Sequence, residues 1–191
     1  MNLKKFSTFA SVIIAAIIVM IVVFGFIVIP APFNISEDPA TITVYDQTQS
    51  SLGKTITKSN SEKQNYEKIL NAFVQTTNLT VFERAFSGVN IYSKPTQDIE
   101  QKQPTWASVK NKEVTIELSF SSKQSIIVSI NGNTKQIDFY GLAFVVENNW
   151  FVHDVVIYYK TTSSGTYTSS PIIIGANTKK LYNVITSLNY N

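Results

Sequence analysis

Residues 114–120 read VTIELSF, and the fold turns on that stretch. Val114, Ile116, Leu118 and Phe120 alternate with Thr115, Glu117 and Ser119. Neighbouring side chains of an extended chain point to opposite faces, so this period of two buries one face and leaves the other to water. The stretch is predicted as one strand of an antiparallel sheet. Downstream, a polar break at 121–124 precedes a second strand at 125–130. Asn131-Gly132-Asn133 is a hairpin signal, and residues 135–146 return, with Gly141 as a bulge or bend point. Glu147-Asn148-Asn149 makes the next turn. Residues 150–160 are predicted as a long strand. Phe151, His153, Val155, Ile157 and Tyr159 share one face; Val152, Asp154, Val156 and Tyr158 share the other. Residues 161–170 form a polar loop around Gly165. Residues 171–175 are predicted as an edge strand, because Pro171 has no N–H for a ladder.

Upstream, residues 41–45 (TITVY) read as another strand and 54–58 (KTITK) as its short partner. Between them and the VTIELSF strand the period changes. Tyr66, Ile69, Leu70, Phe73 and Val74 fall at i, i+3, i+4, i+7 and i+8, one apolar stripe of a helix. Ser61 with Gln64, or Ser59 with Glu62, fits a capping box at its start. A second stripe closes the chain: Leu181, Val184, Ile185 and Leu188, with Asn177 as cap and Lys179 and Lys180 set against the helix dipole. The expected fold class is α+β, an antiparallel sheet packed by two amphipathic helices at 61–76 and 177–188. Residues 79–86 suit a helical face ended by Gly88, and 89–92 a short strand. Arg84, the single arginine, reads first as an ion-pair partner and second as an anion site. Residues 94–105 read as a long exposed loop. Residues 104–109 read as one helical turn with Trp106 and Val109 inward.

Ahead of this domain stands FSTFASVIIAAIIVMIVVFGFIVI, residues 6–29, without a charge or a proline. A helix of that length spans about 36 Å, enough for a hydrocarbon core of about 30 Å. The apolar run is too long for a cleaved signal, and Pro32 follows the only small-residue site, at Ala31. The expectation is an uncleaved transmembrane anchor with a cytoplasmic stub at 1–5, a proline-bearing linker at 30–40 and an extracytoplasmic domain at 41–191. Lys4 and Lys5 precede the span and the next basic residue is Lys54, so the positive-inside bias puts the N-terminus in the cytoplasm. Ser7, Ser11 and Ala15 recur every four residues. That spacing allows close helix approach, and it is also ordinary for a membrane helix.

Without Lys4 and Lys5, the 16 basic residues fall to 14 against 13 acidic ones, all of them beyond the span. Such a balance gives no charge-driven case for nucleic acid. The absence of cysteine excludes disulfides, thiolate metal sites and a thiol nucleophile. One histidine excludes an HExxH zinc site, and no GxSxG elbow or phosphate-cradling glycine loop occurs. His153 and Asp154 point to opposite faces of one strand and make no dyad. Asp138, Glu147 and Asp154 lie on or near adjacent strands, but no spacing selects a glycosidase pair among them. The expectation is therefore no enzyme, no cofactor and no metal. Trp150, Tyr158, Tyr159 and Tyr167 cluster late in the chain as interaction candidates, since Trp and Tyr make strong contact anchors; ordinary strand packing explains them equally well. Asn34-Ile35-Ser36 and Asn78-Leu79-Thr80 match the glycosylation tripeptide.

The order TITVYD (41–46), YEKILNAF (66–73), EVTIELSF (113–120) and SSPIIIG (169–175), followed by a closing helix, resembles a diffuse group of membrane- or lipid-anchored extracytoplasmic proteins of low-GC Gram-positive bacteria. The resemblance implies an anchored outer domain and carries no assigned activity. The anchoring cysteine of some members is missing here, and the apolar span would take its place. The expected function is a binding or regulatory module that contacts another membrane or envelope protein. A structural surface subunit is the alternative, and an enzyme with unmarked carboxylate chemistry comes third.

Overall fold

The structure is a computed structural model that describes residues 3–25, 28–29, 33–47, 50–59, 61–80, 94–95, 104–110, 113–130 and 133–188. The readings of 81–93, Arg84 included, and of the Asn131-Gly132 turn lie outside the described residues. The described residues form an α+β fold with four helices and an open antiparallel sheet. Six strands build most of the sheet: β3 (Thr41–Asp46), β4 (Ser50–Thr57), β7 (Thr115–Ile130), β8 (Asn133–Val145), β9 (His153–Lys160) and β10 (Ile172–Ala176). Their order is β4-β3-β7-β8-β9-β10. Two-residue pieces extend it: β6 (Lys94–Pro95) beyond β10, and β2 (Phe33–Asn34) beside β7.

The VTIELSF alternation does bury one face. Ile116, Leu118 and Phe120 join Ile42, Val44, Leu142, Phe144, Val155 and Ile157 in the main core. Two helices cover that face, α2 (Lys63–Thr77) and α4 (Lys179–Thr186). Tyr66, Ile69, Ala72 and Phe73 come from α2, Leu181 and Ile185 from α4, and Leu188 from just beyond it. The α2 stripe is rotated from the expected one: Ala72 is buried, and Val74 is turned to solvent. The helices are tied where the Asn177 N–H donates to Thr76 O at 3.0 Å.

Neither capping box forms. The carboxylate of Glu62, the residue before α2, instead accepts from Thr57 N–H (3.0 Å) and the Thr57 hydroxyl (3.3 Å), tying the helix start to the end of β4. At α4, the Asn177 side chain accepts from Lys179 N–H at 3.2 Å, while Thr178 stands at the cap position.

Three strand readings change. The two strands expected around 121–124 are one strand, β7, whose register against β8 shifts between Ser119 and Gln124. Residues 120–123 there face only Tyr140. The chain remains extended through the polar break because residues 33–46 run along its other side. Phe33 pairs with Ile126, Thr41 pairs with Ser119, and Ala40 N–H donates to Ser119 O between them. Next, β9 starts at His153, and Trp150 and Phe151 lie in bends before it. Finally, β10 is not a bare edge, since Ile172 and Ile173 pair with Pro95 and Lys94 of β6. Proline at the outermost position ends the ladder there.

Toward the N-terminus, α1 runs Leu3–Gly25 and does not continue to Ile29. Gly25 is a poor helix former, and the β-branched pair Val28–Ile29 (β1) instead pairs with β5 (Leu79–Thr80). Leu79 and Thr80 are thus extended, not the start of a helical face. Among the described residues no helix is long and apolar enough to cross a membrane. On α1 the described side chains run only between Ala10 and Val23, short of the full 6–29 stretch.

Candidate binding cleft

The sheet's second face carries a smaller structure of its own. Tyr158 of β9 and Ala143 of β8 point away from the helices. Trp106, which opens the four-residue turn α3 (Trp106–Val109), lies on them, 5 % exposed. Its ring stands 5.5 Å from the rings of both Tyr158 and Tyr167. Hydrogen bonds fix the turn at both ends. The Tyr158 hydroxyl donates to Pro104 O at 2.9 Å, and the Thr115 hydroxyl donates to Lys110 O at 3.2 Å. Across from α3, the loop after β9 folds back: Thr168 N–H donates to Tyr159 O at 2.9 Å, and Gly165 N–H to Thr162 O at 3.2 Å. A Cβ at Gly165 would meet the Thr162 hydroxyl, which would have to turn aside.

Between α3 and this loop lies a cleft of about 430 Å³. Its floor is the solvent face of the strands, with Tyr45 from β3, Glu117 from β7 and Lys160 from β9. Glu117 sits at the centre. Its Oε1 accepts from Trp106 Nε1–H at 2.6 Å. The Tyr167 hydroxyl is buried, faces the same carboxylate and closes no hydrogen bond. Burial first, then the Glu117 charge, holds the Tyr167 phenol well above its ordinary range; the Tyr45 phenol is raised by the same two causes in the same order. Two lysines line the same cleft. Lys160 Nζ lies 4.5 Å from the centre of the Tyr167 ring, and Lys110 Nζ lies 5.6 Å from that of Tyr45. Neither forms an ion pair among the described residues.

The four aromatics singled out in the sequence go to three places. Tyr167 lines the cleft, and Tyr158 supports it from below. Tyr159 faces the opposite side and packs on the main core. Trp150 is 75 % exposed at the far end of β9, beside Phe151 at 78 %, with the Lys179 ammonium over its ring. The bend that holds it is tied down: Asn177 Nδ2 donates to Trp150 O at 3.3 Å, and Phe151 N–H donates to Asn149 Oδ1 at 3.1 Å. Tyr45, Trp106, Lys110, Glu117 and Lys160 escaped the sequence reading as site residues. The one signal for Glu117 was its place on the polar face of VTIELSF.

The titratable groups weighed for catalysis do not converge. His153 Nδ1 contacts Phe151 O at 3.1 Å, and its Nε2 lies 3.4 Å from the Thr178 hydroxyl and 3.7 Å from Glu147 Oε2. Asp154 is exposed on the other side of the strand. Asp138 accepts from Gln136 (3.0 Å) and pairs with Lys123 (2.9 Å), and these two contacts, in that order, lower its carboxyl below the usual range. No group of three His, Cys, Asp or Glu placed to hold a metal occurs among the described residues. No family model, curated protein or solved structure matches the chain.

Proposed function

We propose that this chain is a single-pass membrane protein whose C-terminal domain is an extracytoplasmic binding or regulatory module. It acts through contact with another membrane or envelope protein, as the resemblance noted above implies. The observation that carries the contact reading is the Trp150–Phe151 pair. Two adjacent large aromatics, 75 % and 78 % exposed, stand on a bend held by hydrogen bonds to Asn149 and Asn177. Pinned aromatics lose little freedom on binding, which suits them as contact anchors.

The membrane reading is supported by α1. Val12, Ile13, Ile14, Ile17, Ile18, Val19 and Val23 are exposed, and at 100° per residue they occupy every side of the helix. A helix apolar all round has no solvent-facing side, so it belongs in a core or a bilayer. The apolar side chains described on α1, between Ala10 and Val23, cover about 21 Å of helix, and it is the whole uncharged run 6–29 of the sequence that matches a hydrocarbon core of about 30 Å. Lys4 and Lys5 at the start orient it with the N-terminus in the cytoplasm.

The test is photo-cross-linking in intact cells from a reactive group placed at Trp150 in the full-length chain. One stoichiometric membrane partner is expected, and its loss is expected when residues 6–29 are exchanged for a soluble leader. Ladders of self-linked chain would replace this reading with that of a structural subunit. The absence of any cross-linked species would overturn the contact reading.

A further inference from the structure

We infer that the cleft between α3 and the loop after β9 binds a sugar acid, a hydroxylated ring that carries a carboxylate. The inference is independent of the membrane and contact readings, because the cleft lies at the other end of β9 from Trp150. Size sets the first limit. About 430 Å³ falls within the range of small-molecule sites and suits one or two monosaccharide units.

Charge sets the second. The cation positions over Tyr167 and Tyr45 are already filled by Lys160 and Lys110, so the aromatic faces are not vacant for a cationic guest. Those two ammonium groups have no carboxylate partner among the described residues, and each keeps N–H donors for an anion. Yet the guest cannot be a bare anion, because Glu117 is part of the floor. Trp106 Nε1–H occupies one of its oxygens and the Tyr45 and Tyr167 hydroxyls face it, so the carboxylate opposes a second negative charge set against it and accepts a guest hydroxyl only with the capacity those groups leave. A guest with hydroxyl donors at one side and a carboxylate at the other meets both conditions.

The chain carries two tryptophans, and one of them lines the cleft. In full-length Trp150→Phe protein held in detergent micelles, Trp106 is the sole indole and reports on the site directly. The ligands are glucuronate, a short oligogalacturonide, glucose, acetate and inorganic phosphate. Glucuronate is expected to change Trp106 emission saturably over the millimolar range, with glucose and acetate each at least about tenfold weaker, the value of one charge-assisted hydrogen bond. Lys160→Met is expected to weaken glucuronate binding about tenfold while leaving glucose unchanged. Lys110→Met, tested in parallel, guards against a folding defect at one position; thermal unfolding identifies such a defect. An oligogalacturonide that binds tighter than glucuronate makes a polymer the natural ligand, and equal affinity makes it a free sugar acid. No saturable response to either, or an equal response to acetate or phosphate, would overturn the inference. A Trp150-directed partner would survive that failure, and its absence would leave the cleft result standing.

Discussion

Gln124 shows how one buried side chain joins distant parts of this chain. It is 2 % exposed and uses both ends of its amide. Its Oε1 accepts from Ser36 N–H (2.7 Å) and the Ser36 hydroxyl (3.2 Å). Its Nε2 donates to Ser122 O (3.3 Å) and Oγ (3.0 Å). The bulge of β7 is thus tied to the segment that enters the sheet. Gln124→Ala is expected to cost about 1–3 kcal/mol in chemical denaturation, since it removes the partner of several polar groups at once. Gln124→Glu keeps the acceptor for Ser36 but sets a carboxylate oxygen against Ser122 O. Burial and that repulsion would raise its carboxyl pKa in the fold. The deficit should then be small below the ordinary carboxylate range and grow as pH rises through the folded value. A deficit independent of pH would show that the amide end faces solvent. None of this was legible in the sequence, where Gln124 closes a polar break and looks like a turn residue. The same limit applies to Glu117. Alternation put it on the polar face, but the Trp106 indole that meets it comes from a turn 11 residues away, set by tertiary packing.

At the scale of elements, periodicity served well wherever one face was buried. The strand at 114–120, the pairing of 41–45 with 54–58 and the two amphipathic helices all follow from apolar spacing. It failed at ends and irregularities, where partners decide. Trp150 and Phe151 continue the alternation of β9, yet the bend tied to Asn149 and Asn177 lifts them out of the ladder. Gly141 marked a bulge correctly in place but not in strand, for the surplus residues belong to β7. Its own role is close approach. A Cβ there would stand 3.3 Å from Leu118 O and 3.4 Å from the Lys160 Cδ atom. The lysine stem can move aside, but the backbone carbonyl is held in the β7–β8 ladder. Gly141→Ala is expected to destabilise the domain by about 1–3 kcal/mol, the usual cost of overpacking a closed site. A neutral melting temperature would mean that the register shift beside Gly141 has slack the structure does not suggest.

For the whole molecule, the sheet is covered unequally. One face carries α2, α4 and the main core. The other carries the small Trp106–Tyr158 cluster and is otherwise the face of Thr41, Thr43, Glu117 and Ser119. Tyrosines sit in both layers, and burial is the largest cause in raising each of Tyr45, Tyr66, Tyr158 and Tyr167 above the ordinary phenol value. Tyr66 is pushed up to about 12, by burial first and then by the charge of Asp38; its hydroxyl donates to Pro39 O, beneath the segment that enters the sheet. These groups set the alkaline limit of the fold. A phenol ionises at about 10 in the unfolded chain and later in the native one. Its contribution to stability is therefore whole below that value and is lost as pH rises through the folded pKa. The melting temperature should fall steadily above about pH 10, and tyrosinate absorbance of these four groups should appear together with loss of the near-ultraviolet circular dichroism of packed aromatics. Tyr66→Phe separates the contributions. It loses one buried hydrogen bond, about 1 kcal/mol at neutral pH, and removes one ionising group, so its deficit against the parent should narrow in alkali. A deficit that stays constant to the point of unfolding would mean that Tyr66 ionises in the native state as freely as in the unfolded one, and that the Pro39 contact does not hold it.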